Sequence, residues 1–136
     1  MSEQNKLIVR RFLAAFAAGD TATLTQVTAE DIIDHCSPPG ARPGRPGLLD
    51  AVTMFRAGIP DIQISTERLV AEGESVSVYG RITGTNTGPM MGSPATGKRA
   101  DFGYMDMYRI VNGQIAEVWH VEDIVGMLGQ LGLMAH

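Results

Sequence analysis

The sequence predicts a single α+β domain, in which N-terminal helices precede a run of antiparallel strands. Two changes of pattern support this prediction. Apolar residues recur at helical spacing in the first sixty residues, and from Ile62 onward they alternate with a period of two, as in strands. The chain has 136 residues, of which 44% are hydrophobic and 19% charged. This size and balance suit one globular domain spanning residues 1–136.

Three helices are predicted in the first half of the chain. The first runs from Glu3 to Ala18 and carries an apolar face that ends before a glycine. Asp20 or Thr21 can cap a short second helix. The third is expected from about Leu48 to Ala57, with Phe55 among its apolar positions.

Two other segments separate these helices. Glu30–His35 is predicted to be a short extended or turn element. Pro38–Gly47 combines four prolines with three glycines, and this density predicts no regular structure there.

The last strands are predicted to form a β-hairpin around Asn112-Gly113. A two-residue turn would pair Val111 with Gln114 and place Met105 opposite His120. A type I turn with a glycine bulge would instead place Tyr104 opposite His120, with Asp106 on the same face. Since one residue of slip exchanges the two faces, the sequence leaves both registers open. We favour the second, because it gathers an acid–base group.

The chemistry-bearing residues concentrate at the end of this hairpin. His120 titrates near neutral pH and is predicted to act as general base and acid, with Asp106 as its partner. Asp123 is a third catalytic candidate, although it can equally cap a C-terminal segment that covers the core. The residues predicted to contact a substrate are His35, Tyr104, Trp119 and Phe55, with Tyr104 or His35 as hydrogen-bond donor to a developing oxyanion.

Composition disfavours several classes of function. The net charge of -4 and the pI near 5.2 argue against nucleic acid as a partner, which requires clustered basic residues. Cys36 is the single cysteine, so no intrachain disulfide or thiolate metal site is expected. No apolar run approaches the roughly 20 residues that span a bilayer, and no signal peptide is recognisable. The expectation is a cytoplasmic protein without a membrane partner.

Motifs spread along the chain resemble those of the SnoaL-like polyketide cyclases. The matching segments, in order, are Asn5-Lys6, the helix around Ile8–Phe12, Ala18-Gly19-Asp20, Gly84–Gly88, Pro94–Lys98, Tyr108-Arg109-Ile110, Asn112–Ile115, Trp119–Asp123 and Gln130-Leu131-Gly132. The resemblance covers nearly the whole chain and lies in the order and spacing of these motifs.

This resemblance implies a cone-like α+β barrel of the nuclear transport factor 2-like superfamily. In it, N-terminal helices cover a curved antiparallel sheet and enclose a deep apolar pocket. It also implies a homodimer that pairs through the outer sheet face. Characterised members close the last ring of anthracycline-type aromatic polyketides by intramolecular aldol condensation, without a metal or organic cofactor. An acidic side chain removes an activated proton, and the pocket stabilises the enolate.

One departure from the family pattern concerns the catalytic pair. The cyclases place their catalytic aspartate where this chain has His120, and a supporting histidine where it has Asp106. The exchanged pair predicts an aldol-type cyclase acting on a polyketide or a similar apolar ketone, with no metal site and no cofactor. The alternatives are an epoxide hydrolase with water held by His120 and Asp123, a ketosteroid isomerase-like enzyme, or a non-catalytic module that binds an apolar ligand.

Overall fold

The computed structural model describes residues 2–134, so His136, for which the sequence predicts no role, lies outside the described residues. The predicted α+β class is confirmed. The elements in chain order are α1 (Ser2–Ala18), α2 (Thr21–Val27), β1 (Thr28–Asp34), α3 (Gly44–Gly58), β2 (Gln63–Ile64), β3 (Arg68–Glu72), β4 (Ser75–Thr85), β5 (Arg99–Val111), β6 (Gln114–Glu122) and α4 (Ile124–Leu131).

The six strands form one mixed sheet rather than the predicted antiparallel barrel. Its order is β1-β6-β5-β4-β2, with β3 also paired to β4, so the sheet is open. The β1 strand runs parallel to β6, while the other pairs are antiparallel. A parallel partner lies far away in the sequence and leaves no local turn signal, which is why the hairpin pattern alone suggested a purely antiparallel sheet.

The helices differ from prediction mainly at the start of α3. This helix begins at Gly44, four residues before the predicted Leu48, so part of the segment expected to be irregular is helical. Pro43 is its N-cap and Pro46 lies in its first turn. Proline is tolerated at both positions because the first N–H groups of a helix have no intrahelical acceptor.

Two predictions about the shorter segments are confirmed. Asp20 caps α2, as predicted, by accepting a hydrogen bond from the backbone N–H of Thr23. The C-terminal segment forms α4 and buries Met127 and Leu131 completely, so its predicted role in covering the core is confirmed.

The turn between β5 and β6 has the two-residue form, so the favoured alternative, a type I turn with a glycine bulge, is wrong. Val111 pairs with Gln114, and Asn112 and Gly113 have φ angles of 52° and 76°. Two consecutive positive φ values are typical of a type I′ turn, in which Asn-Gly is the preferred sequence.

A β-bulge at Ala116 then changes the register of the hairpin. Ile110 pairs with Ile115 but Arg109 pairs with Glu117, so the intervening residue of β6 has no partner on β5. Both predicted alignments at His120 are therefore wrong, because its partner is Asp106.

The bulge also sets which residues of β6 face the helices. Ile115 and Val118 are buried although they are three positions apart, and beyond them His120 and Glu122 line the inner face. The predicted grouping of His120 with Asp106 and Tyr104 on one face is thus confirmed. Among residues 2–134, none of the helices has the length and apolar character that crossing a bilayer requires.

Candidate functional site

An apolar cavity lies between the inner face of the sheet and helices α1 and α3. Its volume is about 100 Å³, and we call it the inner cavity. Its lining residues are Phe12, Leu13, Phe16, Asp34, Leu48, Ala51, Phe55, Ile62, Ile64, Ile82, Tyr104, Asp106, Tyr108, Val118, His120 and Glu122. Three carboxyls, one imidazole and two tyrosine hydroxyls therefore share an otherwise apolar wall.

The aromatic side chains of the helices form the part of this wall that faces the sheet. The Phe12 ring packs edge-on against Tyr108 with centroids 5.5 Å apart, and Phe16 lies 6.2 Å from Phe55. Apolar side chains packed around the carboxyls exclude water and so make each charge more costly to hold.

His120 lies between two carboxylates. Its Nδ1 is 2.8 Å from Oε1 of Glu122, and its Nε2 is 3.0 Å from Oδ2 of Asp34. A carboxylate can only accept a hydrogen bond, so both ring nitrogens must carry a proton. Hydrogen bonds to Asp34 and Glu122 raise the pKa of His120 to about 10. The imidazole is therefore held as a cation at neutral pH.

Asp34 completes this arrangement from the end of β1. Burial by itself would raise the pKa of Asp34, but hydrogen bonds from His120 and from the backbone N–H of Cys36 lower it overall. The carboxylate is thus ionised and stabilises the imidazolium. The parallel pairing of β1 with β6, in which Asp34 lies beside Val118, brings it within reach.

Asp106 has the opposite electrostatic environment. Burial raises its pKa to about 7, with a further increase from the negative charge of Glu122. The hydroxyl of Tyr108 donates a hydrogen bond to Oδ2. Oδ1 is buried and has no hydrogen-bond partner among the described residues. A carboxyl group that is half ionised near neutral pH and has one unengaged oxygen can take up and return a proton.

Two tyrosines on β5 flank Asp106. Tyr108 is completely buried, and burial raises its pKa well above the ordinary value, so its hydroxyl remains a proton donor to Asp106. Burial also raises the pKa of Tyr104, to about 12. The Tyr104 hydroxyl donates to the backbone carbonyl of Ser65 at 2.8 Å, so its proton is already engaged.

The predicted site residues fall into two groups. His120, Asp106, Tyr104 and Phe55 all line the inner cavity. Asp123 is exposed and caps α4 by accepting from the backbone N–H of Gly126, which is the structural role that the sequence also allowed.

The remaining two predicted substrate contacts, His35 and Trp119, lie on the outer face of the sheet. Their rings stack with centroids 4.5 Å apart and planes inclined by 7°. His35 contacts Glu117 through Nε2 at 2.9 Å. Neither ring is part of the inner-cavity wall.

Sequence reasoning missed three residues of the cluster. Glu122 lies two positions after His120 on the same strand, and Tyr108 lies two positions after Asp106. The period-two alternation of strands could have found both. Asp34 gave no such signal, because a long-range parallel strand pairing places it there.

Among residues 2–134 no group of three or more His, Cys, Asp or Glu side chains is arranged to hold a metal ion. The acid–base groups of the site are nevertheless well defined. It offers one imidazolium, two carboxylates that hold it, and one carboxyl group with a pKa near 7.

Comparison with known proteins gives consistent results. Residues 6–131 match the family model for SnoaL-like polyketide cyclase. A candidate polyketide cyclase from Bacillus cereus is 32% identical, with a TM-score of 0.83 over 94% of this chain and 80% of that one. IdmH, a candidate polyketide cyclase from Streptomyces antibioticus, is 29% identical, with a TM-score of 0.85 over 95% and 99%.

A further similar structure is that of TsrD from Streptomyces laurentii. It is 26% identical to this chain, with a TM-score of 0.90 over 98% of both. No curated protein sequence matches the chain.

Proposed function

Because this chain belongs to the SnoaL-like polyketide cyclase family, we propose that it is a cofactor-independent enzyme that transfers a proton at a carbon activated by neighbouring carbonyl groups. The reaction that this chemistry serves is an intramolecular aldol condensation, which closes a ring of a polyketide or a similar apolar ketone. The observation that carries the proposal is the Asp106 carboxyl, buried in the inner cavity with one unengaged oxygen and a pKa of about 7.

Asp106 is the general base in this proposal. A base works best when its pKa is near the operating pH, since it is then both available and strong enough to accept a proton. Its Oδ1 is free to face a C–H bond, while Tyr108 fixes the other oxygen. The hydrogen bond from Tyr108 limits rotation of the carboxyl group and so keeps Oδ1 in one orientation.

His120 takes the role of a fixed positive charge instead of the predicted general base. A base needs a lone pair on nitrogen, and both nitrogens of His120 carry protons that are donated to Asp34 and Glu122. The cation lies directly across the strand pair from Asp106. It can stabilise the negative charge that develops on the enolate.

The steps balance without any co-reactant. Asp106 removes the proton from the activated carbon, and the electron pair of the broken C–H bond enters the enolate. The enolate carbon attacks a second carbonyl group of the same molecule, forming the C–C bond and an alkoxide. The carboxylic acid of Asp106 then returns its proton to the alkoxide, which restores the enzyme.

Deuterium exchange tests the first step separately from ring closure. The probe is methyl 3-oxobutanoate in D₂O, with uptake at C2 followed by NMR above the buffer background. We expect Asp106→Asn to lower the exchange rate by about 10²- to 10⁴-fold, the usual contribution of a positioned acid–base group. His120→Gln should lower it by about 10²-fold through loss of the charge.

A matched control is available on the same strand. Asp101 is an exposed carboxylate of β5 that is held by Arg81 at 2.8 Å, outside the inner cavity. We expect Asp101→Asn to exchange at the wild-type rate. Wild-type exchange no faster than buffer, or exchange by Asp106→Asn at the wild-type rate, would contradict the proposal.

The hydrolase alternative finds less support in the geometry. It needs a water molecule held between His120 and Asp123, and the Asp123 carboxylate is committed to the N-terminus of α4. The ring nitrogens of His120 are likewise committed to two carboxylates. Neither group is available to activate water in this arrangement.

The assembly that we propose is a homodimer formed through the outer face of β5 and β6. Met105, Met107, Trp119 and Val121 expose between 37% and 69% of their surface on this face. They form two adjacent cross-strand pairs, Met105 with Val121 and Met107 with Trp119. An exposed apolar patch of this kind is typical of a protein–protein interface.

A further inference from the structure

The inner cavity is too small for a polycyclic substrate. Its volume is about 100 Å³, whereas pockets for drug-sized ligands usually enclose about 300–1,000 Å³. If Asp106 acts on one activated carbon of a large molecule, the remainder of that molecule must extend outside the inner cavity.

A second cavity adjoins it and has the missing volume. This outer cavity encloses about 830 Å³ between the end of β1, the loop 35–43 and the first half of α3. The two cavities share three lining residues, Asp34, Leu48 and Ala51.

Asp34 marks the junction between the two cavities. One oxygen of its carboxylate accepts from His120, and the other accepts from the backbone N–H of Cys36, at the start of the loop. The catalytic cluster and the outer cavity therefore have this carboxylate as a common wall.

The loop that closes the outer cavity is restrained by its sequence and by one ion pair. Pro38, Pro39 and Pro43 fix their own φ angles. Arg42 donates two hydrogen bonds of 2.7 Å to the Asp50 carboxylate on α3, in a bidentate arrangement. A cavity wall held in this way can exist before a ligand binds.

The charges around the outer cavity are mainly negative. Glu30, Asp31 and Asp50 line it together with a single guanidinium, that of Arg42, which Asp50 already neutralises. Proline, isoleucine, leucine, alanine and methionine make up most of the other lining residues. A phosphate-bearing group would be repelled here, whereas an uncharged apolar body would not.

We propose that the outer cavity binds the non-reacting body of the substrate, and that this body is uncharged. It follows that the enzyme acts on a free or small-thioester substrate rather than on one attached to a phosphate-bearing carrier. This inference rests on the proposed function of Asp106, because that group places the reacting carbon in the inner cavity.

A variant that fills the outer cavity tests whether the non-reacting body of the substrate binds there. We compare C2 exchange of methyl 3-oxobutanoate with that of its 2-naphthylmethyl ester counterpart. In Ala41→Trp, which adds a large side chain to the loop, the ratio of kcat/KM for the large ester to that for the small ester should fall at least tenfold. Ala22→Trp, on the exposed surface of α2 and in neither cavity, is the matched control and should keep the wild-type ratio. An unchanged ratio in Ala41→Trp would place the body elsewhere.

Two thioesters with the same reacting group test whether the outer cavity disfavours a negatively charged substrate. Acetoacetyl-N-acetylcysteamine is neutral, while acetoacetyl-coenzyme A carries phosphates. We expect the KM of the neutral thioester to be at least tenfold lower, and the double variant Glu30→Gln/Asp31→Asn to reduce this difference. Equal KM values in the wild type would overturn the uncharged-substrate inference.

Direct binding separates failure of this inference from failure of the proposed function. The unreactive probe is 2-naphthylmethyl acetate, measured by calorimetry. Binding that weakens at least tenfold in Ala41→Trp supports the outer cavity even if the wild type exchanges no deuterium, which would count against Asp106 alone. Equal affinity in wild type and Ala41→Trp, or no binding to the wild type, would refute the outer-cavity inference.

Discussion

The two faces of the β5–β6 hairpin differ around His120, and each departs there from the usual polarity. The face that packs towards the helices carries Asp106, His120 and Glu122, while the face that points away carries exposed Met105 and Val121 among other apolar residues. In most sheets the buried face is apolar and the exposed face polar. The comparison indicates that both faces depart from the rule because each has a task other than stability.

A single inserted residue determines which side chains of β6 face the helices. Beyond Ile115, strict alternation would turn Trp119 and Val121 inward and His120 outward. The bulge at Ala116 exchanges these two sets, since it shifts the pairing by one residue. Bulges often redirect a side chain beside an active site. Here the bulge changes the face of every residue of β6 that follows it.

Deleting Ala116 should change the two faces and the stability of the protein more than any other variant considered. Without the bulge, either the apolar pair Trp119 and Val121 is forced inward against the helices or the strand must slip. We expect a loss of about 3–5 kcal/mol in the free energy of unfolding, as for other severe core disruptions, measured by urea denaturation.

The control for this deletion is a second change at the same position. Ala116→Gly keeps the residue count and should lower stability by no more than about 1 kcal/mol. A deletion variant with wild-type stability and wild-type deuterium exchange would show that the bulge does not set the faces.

The inner face should also show a characteristic dependence of stability on pH. Both Asp106 and His120 have a pKa that is raised in the folded protein, to about 7 and about 10. A group whose pKa is raised by folding stabilises the protein at pH values below its pKa in the unfolded chain. This stabilisation is lost as the pH rises through the pKa of the folded protein. Asp106 should therefore lower stability between about pH 4 and pH 7, and His120 between about pH 6.5 and pH 10, by about 1 kcal/mol per pH unit or less.

Two variants separate these windows in urea unfolding at pH 5, 7 and 9. Asp106→Asn should remove the decline between pH 5 and pH 7 and leave the one between pH 7 and pH 9. His120→Gln should do the opposite. If both variants follow the wild-type curve, the two groups do not have the shifted pKa values that the proposed mechanism uses.

A substitution on the outer face should have a smaller effect, which is limited to the oligomeric state. We expect the wild type to be a dimer by light scattering at micromolar concentration. Trp119→Lys should shift it to a monomer with the secondary structure unchanged, because a charge at the centre of an apolar interface is unpaired. Val125→Lys, at a 68% exposed position on α4, is the control and should stay dimeric. A monomeric wild type would refute the assembly.

The sequence was most informative where structure depends on neighbouring residues. It located the helices because their apolar faces repeat within one element, and the turn because Asn112-Gly113 accepts two positive φ values. The shared face of Asp106 and His120 was predicted only by the register with the glycine bulge, and the structure reaches that face by a different turn and pairing. The start of α3 was missed because prolines at the beginning of a helix resemble those of a loop.

The sequence by itself therefore determined the α+β class, the family motifs and the concentration of ionisable groups at the end of the hairpin. Only the tertiary structure decided how these groups are arranged and which of them are charged. Asp34 reaches His120 through a strand pairing that spans 86 residues, and the bulge at Ala116 chooses the face. Burial and the number of carboxylates around each group then set its charge, and these are properties of the packed molecule that no local stretch of sequence contains.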